Sequence, residues 1–253
     1  GPYAACIAIS VALFIQAIIF GDGGILSFGA NCFNIAFILP FTGFFIYKIL
    51  NKIHLSPFYH KCTIFLSAYI SINLAAFFTA LELGIQPLLF VDNLGQPLYC
   101  PYPLWISIPA IALSHLTIAG IAEGLFTLSL YLFILKTSPN IIYDCQQIKL
   151  NSIFSLLAFL IIISPLGLIA EGTAWGEWAP EEILNDTSSG VPLGFIPEKL
   201  LNGFNYEAFF PDYTMSGTTD ILAYIASAII GVALLIIIFK ILGSIIYAKK
   251  QSL

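Results

Sequence analysis

Three short stretches carry the side chains able to do chemistry. The first reads Phe20-Gly21-Asp22-Gly23-Gly24, then Gly29-Ala30-Asn31-Cys32-Phe33-Asn34, placing one carboxylate and two amides among glycines. Gly23 and Gly24 permit a tight reversal with positive φ and a close approach of two helices. Asn31 and Asn34 are three apart and share a helix face. Such amides either bond to a neighbouring helix or line a wet cavity. The second stretch is Ser114-His115 with Glu123 eight residues on. His115, Ala119 and Glu123 advance by four along one helix face. Three readings follow: an acid–base pair, a metal-ligating His115, or a histidine satisfied in the packing and a carboxyl bonded to Asn or Ser or kept neutral by a raised pKa. Gly120 and Gly124 supply a G-x-x-x-G spacing for close helix packing. The third stretch, residues 171–220, holds nine acids against Lys199 alone and includes Thr173-Ala174-Trp175-Gly176-Glu177-Trp178. Its negative field either gathers cations or keeps an exposed loop in water.

These residues need elements to hold them, and the composition says what kind. Only 9% of the 253 residues are charged and 59% are apolar, with a mean hydropathy of +0.94. A soluble domain carries about a quarter charged residues, so a water-facing surface is excluded for most of the chain. A membrane helix needs roughly 20 apolar residues. Six such stretches occur: 3–20, 29–47, 62–81, 103–135 (interrupted by Glu123), 150–170 and 221–239. The expected fold is an all-α polytopic bundle of about six transmembrane helices. Residues 1–136 form a four-span domain, and residues 137–253 a two-span extension around the acidic loop 171–220.

Eight of the nine lysines fall on one side of an alternating six-span arrangement: Lys48, Lys52, Lys61, Lys136, Lys149, Lys240, Lys249 and Lys250. Cytoplasmic loops are enriched in positive charge, so both ends of the sequence are expected in the cytoplasm and the acidic loop outside. The net charge of −5 conceals this separation. Five cysteines (6, 32, 62, 100 and 145) show no C-x-x-C spacing. His54 and His60 sit in the lysine-rich loop, away from His115. There is no phosphate loop, no H-E-x-x-H and no G-x-S-x-G elbow. ATP hydrolysis and zinc proteolysis have no recognisable parts here, and the tail Lys249-Lys250 suits a membrane surface, not specific nucleic-acid binding.

The segment Gln16 to Gly24, the run Gly29-Ala30-Asn31-Cys32-Phe33-Asn34, Pro101-Tyr102-Pro103 and Ser114-His115-Leu116 together resemble the CbiM/NikM family. Its members are substrate-specific membrane components of energy-coupling-factor importers for cobalt and nickel. The likeness runs from residue 1 to about residue 136. The remainder is similar in layout to a fused CbiN/NikN component. The resemblance implies transported Co2+ or Ni2+ with no covalently bound cofactor, and no catalysis by this chain. It also implies separate partners, a CbiQ/NikQ-type transmembrane coupling protein and a CbiO/NikO-type ATPase, in the plasma membrane of a prokaryote. In the family a Met-His start and an early-span histidine bind the metal. The sequence opens Gly1-Pro2-Tyr3, so those ligands are expected upstream of residue 1. Asp22, Asn31, Asn34, His115 and Glu123 then become groups that orient ligands or line the ion's path. The alternative functions are a secondary transporter and a membrane-embedded enzyme using His115 and Glu123.

Overall fold

Hydrocarbon offers a backbone no hydrogen bonds, so each apolar run closes its own amides as a helix. The computed structural model describes residues 1–52, 56–139, 142, 150–169, 173–204 and 206–251. His54, Cys145, Lys149 and Glu171 lie outside the described residues. Six helices are long and apolar enough to cross a membrane: Pro2–Phe20, Phe28–Leu50, Pro57–Leu89, Leu104–Thr137, Asn151–Ile169 and Asp220–Ile245. They are the first to sixth spans below. Among the described residues there is no strand, only an isolated bridge between Val91 and Pro97. The all-α bundle is the architecture the hydropathy pattern requires.

One boundary needs correction. A search for uncharged runs ends the third span at Leu81 and leaves Glu82 in a loop. The helix instead continues to Leu89, so Glu82 lies inside it, in the last two turns. Pro87 does not stop this helix, but it has no amide to close on the carbonyl of Leu83. Three spans also contain a π-helical segment: Gln16–Phe20, Cys32–Ile38 and His115–Ala119. Each adds a wider turn, a departure that recurs at functional sites.

The third span is the hub, packing against both the second and the fourth. Its buried face is a ladder of small residues, among them Ser67, Ser71, Ala75, Ala80 and Gly84, which lets neighbouring backbones approach. Ser107 of the fourth span donates across to the Ala80 carbonyl at 2.9 Å. Gly43 of the second span meets Ser71. Gly120 and Gly124 of the fourth span lie against Tyr69, Asn73 and Phe65 of the third. Serine hydroxyls within the ladder fold back on their own helix, as with Ser67 to the Thr63 carbonyl at 2.7 Å. Large apolar side chains such as Phe45, Trp105 and Ile118 point outward, where lipid is the solvent.

Gly84 is the tightest point of this contact. A Cβ there would collide with Ser107 Oγ and lie 2.9 Å from the Leu104 Cα. Gly84→Leu is therefore expected to destabilise the bundle by about 1–3 kcal/mol through overpacking, measured as a lower midpoint of thermal unfolding in detergent, whereas Gly243→Ala, a helical position with open space around it, should lower it far less.

Candidate functional site

The polar residues gather at one end of the bundle, the end that carries the acidic loop. The first span finishes there in its π segment, and Gly21 (φ 72°), Gly23 (φ 70°) and Gly24 (φ 69°) turn the chain in a left-handed conformation that suits glycine. Asp22 sits in this turn and accepts hydrogen bonds from Gln16 Nε2 at 2.6 Å and from the Tyr213 hydroxyl. Asn31 Nδ2 donates to the Gly23 carbonyl at 2.9 Å. The turn is thus pinned from both flanking helices and from the loop.

A helix end leaves carbonyls without intrahelical partners, and here the loop supplies the donors. The Phe210 amide bonds the Ile19 carbonyl at 2.9 Å, and the Tyr206 hydroxyl bonds the Ile18 carbonyl at 3.1 Å. Tyr213 stacks on Phe20 with ring centres 4.9 Å apart. Burial pushes the Tyr213 phenol well above its ordinary value, and the Asp22 carboxylate it serves adds to this. The phenol is a permanent donor. Glu177 comes from the same loop. Burial raises its carboxyl above the usual range and the charge of Asp22 raises it further.

A second anchor lies beside it. Tyr102, 1% exposed, donates its hydroxyl to Asp186, while Trp175 and Trp178 lie 5.8 and 5.5 Å from its ring. Burial first, and then Asp186, hold the Tyr102 phenol protonated. Burial works to raise Asp186, but bonds from Tyr102, Ser188 and Trp178 outweigh it and leave the carboxyl below its ordinary value. Cys100 is buried, which lifts its thiol to about 11 and leaves it unreactive. Between turn and loop is a cavity of about 690 Å³, with Gly24, Ser27, Leu83, Gln86, Trp178 and Lys199 on its walls.

The structure separates residues that spacing groups together. Asn31 serves the turn, whereas Asn34 donates through Nδ2 to Glu82 Oε2 at 2.7 Å. Asn34 is 2% exposed, and its Oδ1, like Thr63 Oγ1 and Ser138 Oγ, has no hydrogen-bond partner. His115 Nδ1 lies 2.9 Å from the Ile111 carbonyl, and Glu123 accepts from Thr127 at 3.1 Å. Each therefore bonds within its own span, and no hydrogen bond joins His115 to Glu123 among the described residues. Nor do those residues place three or more His, Cys, Asp or Glu side chains so as to hold a metal ion. Glu82, Asp186 and Tyr213 are members that the sequence alone does not mark as site residues, and Tyr102 enters there only within the resembling segment Pro101-Tyr102-Pro103. For Glu82 the available signal was the apolar character of Leu83 to Leu89 beyond it.

Six membrane-crossing helices bound to a folded polar loop define a polytopic membrane protein. The chain matches the family model described as cobalt uptake substrate-specific transmembrane region over residues 1–141, and so belongs to the CbiM family. Residues 150–248 match the PDGLE domain. The chain is 40% identical over 241 residues to the probable fused nickel transport protein LarMN of Lactiplantibacillus plantarum, covering 95% of this chain and 72% of that one. It is 38% identical over 252 residues to the fused nickel transport protein NikMN of Rhodobacter capsulatus, covering 93% and 73%. A crystal structure described as a transition metal transporter is 46% identical with a TM-score of 0.52, covering 57% of this chain and 62% of that one. The chain thus spans less than two thirds of that solved protein.

Two outcomes follow for the loop. Because docking raises the Glu177 carboxyl, its contribution favours the docked state fully below the ordinary carboxylate range and is lost as pH rises to the raised value. Glu177→Gln should flatten the dependence of proteolytic resistance on pH across that interval and strengthen docking above it. Tyr213→Phe removes the donor to Asp22 and should cost about 2 kcal/mol, seen as faster cleavage of the loop by added protease.

Proposed function

We propose that this chain is the substrate-specific membrane component of an ATP-driven energy-coupling-factor importer for cobalt or nickel. The observation that carries the reading is similarity extending across both parts of the chain to fused nickel transport proteins, together with the cobalt uptake family match. The cargo is the ion itself, and the energy comes from partners, a CbiQ/NikQ-type coupling protein and a CbiO/NikO-type ATPase. On this reading residues 1–136 select the ion, and residues 137–253 add two spans whose loop covers the entrance. Lys48, Lys61 and Lys136 lie at the helix ends away from that loop. This favours a cytoplasmic lysine end and an exterior acidic end, by the preference of cytoplasmic loops for positive charge.

The residues act in support of the ion. Asp22 and Asn31 fix the turn at the entrance, and Asn34, His115 and Glu123 set the polarity of the path below it. Substituting a group that orients another weakens binding without abolishing it, by about 10–100-fold at most for partners of metal ligands. Asn31→Ala and His115→Ala are expected to lower metal affinity in calorimetric titration of the full-length protein, any residues upstream of residue 1 included. Unchanged affinity and uptake in both would remove that role.

Uptake of radioactive nickel or cobalt by cells carrying the chain and its coupling proteins tests the class. Accumulation should vanish when the ATPase is inactivated. Accumulation that survives would assign a secondary transporter instead. Removing residues 173–219 while keeping both flanking spans should reduce uptake, because the loop is the cover over the turn; unchanged uptake would reduce the loop to a solubilising segment.

A further inference from the structure

The first, fifth and sixth spans leave a groove between them, below the glycine turn. The sixth span packs against both the first and the fifth, and the space beside it measures about 580 Å³, within the range of about 300–1,000 Å³ usual for ligand sites. Its walls include Ala12 and Ile15 of the first span, Leu157 and Ile161 of the fifth, and Gly231 and Leu235 of the sixth. Among the described residues of the fifth span none is buried, so the groove continues the lipid-facing surface and is reached sideways from the bilayer. Water does not fill such a space in hydrocarbon, and an empty one would forfeit the contacts of its lining.

The length of the groove selects the occupant. All three spans enter it at the end carrying the acidic loop, at Phe20, Ser164 and Tyr224, and leave it near mid-span, at Ala12, Leu157 and Leu235. On the sixth span, Tyr224 to Leu235 covers roughly 16 Å at about 1.5 Å per residue, close to half of the roughly 30 Å hydrocarbon core. One lipid tail is one leaflet deep. A partner helix would cross the whole core with a diameter of about 10 Å, and half of its length would find no groove.

The mouth of the groove suits a headgroup. The Tyr224 ring lies 5.6 Å from that of Tyr213, and its hydroxyl has no hydrogen bond among the described residues, so it is able to donate to an ester carbonyl. Asp22 accepts from Gln16 and Tyr213, both on the wall. Asp212 adjoins Tyr213, and Asp220 lies one turn before Tyr224. Lys199, the one lysine of residues 171–220, is on the wall of the other cavity, and Lys240 lies beyond Leu235 toward the opposite end. The rim is therefore acidic, which favours a headgroup ending in an ammonium over one of net negative charge.

We propose that the groove seats one tail of a phospholipid from the leaflet on the loop's side, a zwitterionic lipid whose ammonium meets the acidic rim and whose ester carbonyl accepts from Tyr224. The tail joins three spans and lies behind Phe20 and Tyr213, the stacked pair that ties the loop to the first span. This seat does not depend on the identity of the transported ion.

The test titrates the delipidated full-length protein, any residues upstream of residue 1 included, in detergent with dioleoylphosphatidylethanolamine or dioleoylphosphatidylglycerol, followed by thermal unfolding and native mass spectrometry. Phosphatidylethanolamine should raise the unfolding midpoint saturably and persist as one molecule per protein, and phosphatidylglycerol should do so only at higher concentrations. Gly231→Leu fills the groove at a position where an added Cβ meets only Phe20, at 3.9 Å. It should keep or raise the midpoint of the delipidated protein and abolish the retained lipid, while Gly243→Leu, at an open helical position outside the groove, tracks the wild type. Tyr224→Phe should weaken retention about threefold, the order of one hydrogen bond inside a bilayer. Equal retention of the two lipids, or retention unchanged in Gly231→Leu, overturns the seat and leaves only the lipid shell common to any membrane protein. Loss of a dimer or of a co-purified coupling protein in Gly231→Leu, with lipid retention unchanged, also overturns it and gives the groove to a protein. Should Gly231→Leu fail to fold, Tyr224→Phe decides, and retention equal to the wild type rejects the seat.

Discussion

A polar group inside a bilayer has only the protein to bond to, and this constraint organises the whole molecule. Along the spans it is met locally. Ser67, Thr79, Thr117, Ser129 and Thr137 each return their hydroxyl to the carbonyl one turn back. Where local closure fails, a partner arrives from another element: Ser107 for Ala80, Tyr69 for the Leu116 carbonyl, Glu82 for Asn34. The buried small-residue ladder of the third span makes these crossings short. Asn34 Oδ1, Thr63 Oγ1 and Ser138 Oγ are the remainder among the described residues.

The same demand explains the acidic loop. The first span ends in a π segment whose carbonyls at Ile18 and Ile19 are taken up by Tyr206 and Phe210 of the loop, and Asp22 is taken up by Tyr213. The loop is thus bonded backbone to backbone and side chain to side chain, with Tyr102 and Asp186 as a second fastening. Glu177 opposes it mildly, as a carboxyl that docking partly desolvates and brings toward the charge of Asp22. A loop held firmly at two points and loosened by one titratable acid fits the covering role proposed for it.

Much of this was legible in the sequence, for identifiable reasons. The spans were readable because lipid tolerates few charges, so uncharged runs of membrane length mark them directly. The glycine turn was readable because three positions needing positive φ are all glycine. Glu82 was misplaced by the same rule that found the spans: a charge ends an uncharged run, yet this carboxylate is tolerated inside the helix by a bond to a residue 48 positions away. The Asp22–Tyr213 bond joins residues 191 apart, and no local pattern announces such a pairing. The π segments escaped notice because Gln16 to Phe20 has the composition of any apolar helix. Asn31 and Asn34, three apart, end on different partners, the Gly23 carbonyl and Glu82.

Whether this protein handles a transition-metal ion is decided by equilibrium binding in a lipid nanodisc. Titration with Ni2+ or Co2+ of the full-length protein, any residues upstream of residue 1 included, followed by calorimetry, should give saturable binding at one site per protein, with excess Mg2+ failing to displace the ion. Absence of saturable binding for both metals, or equal competition by Mg2+, would contradict it.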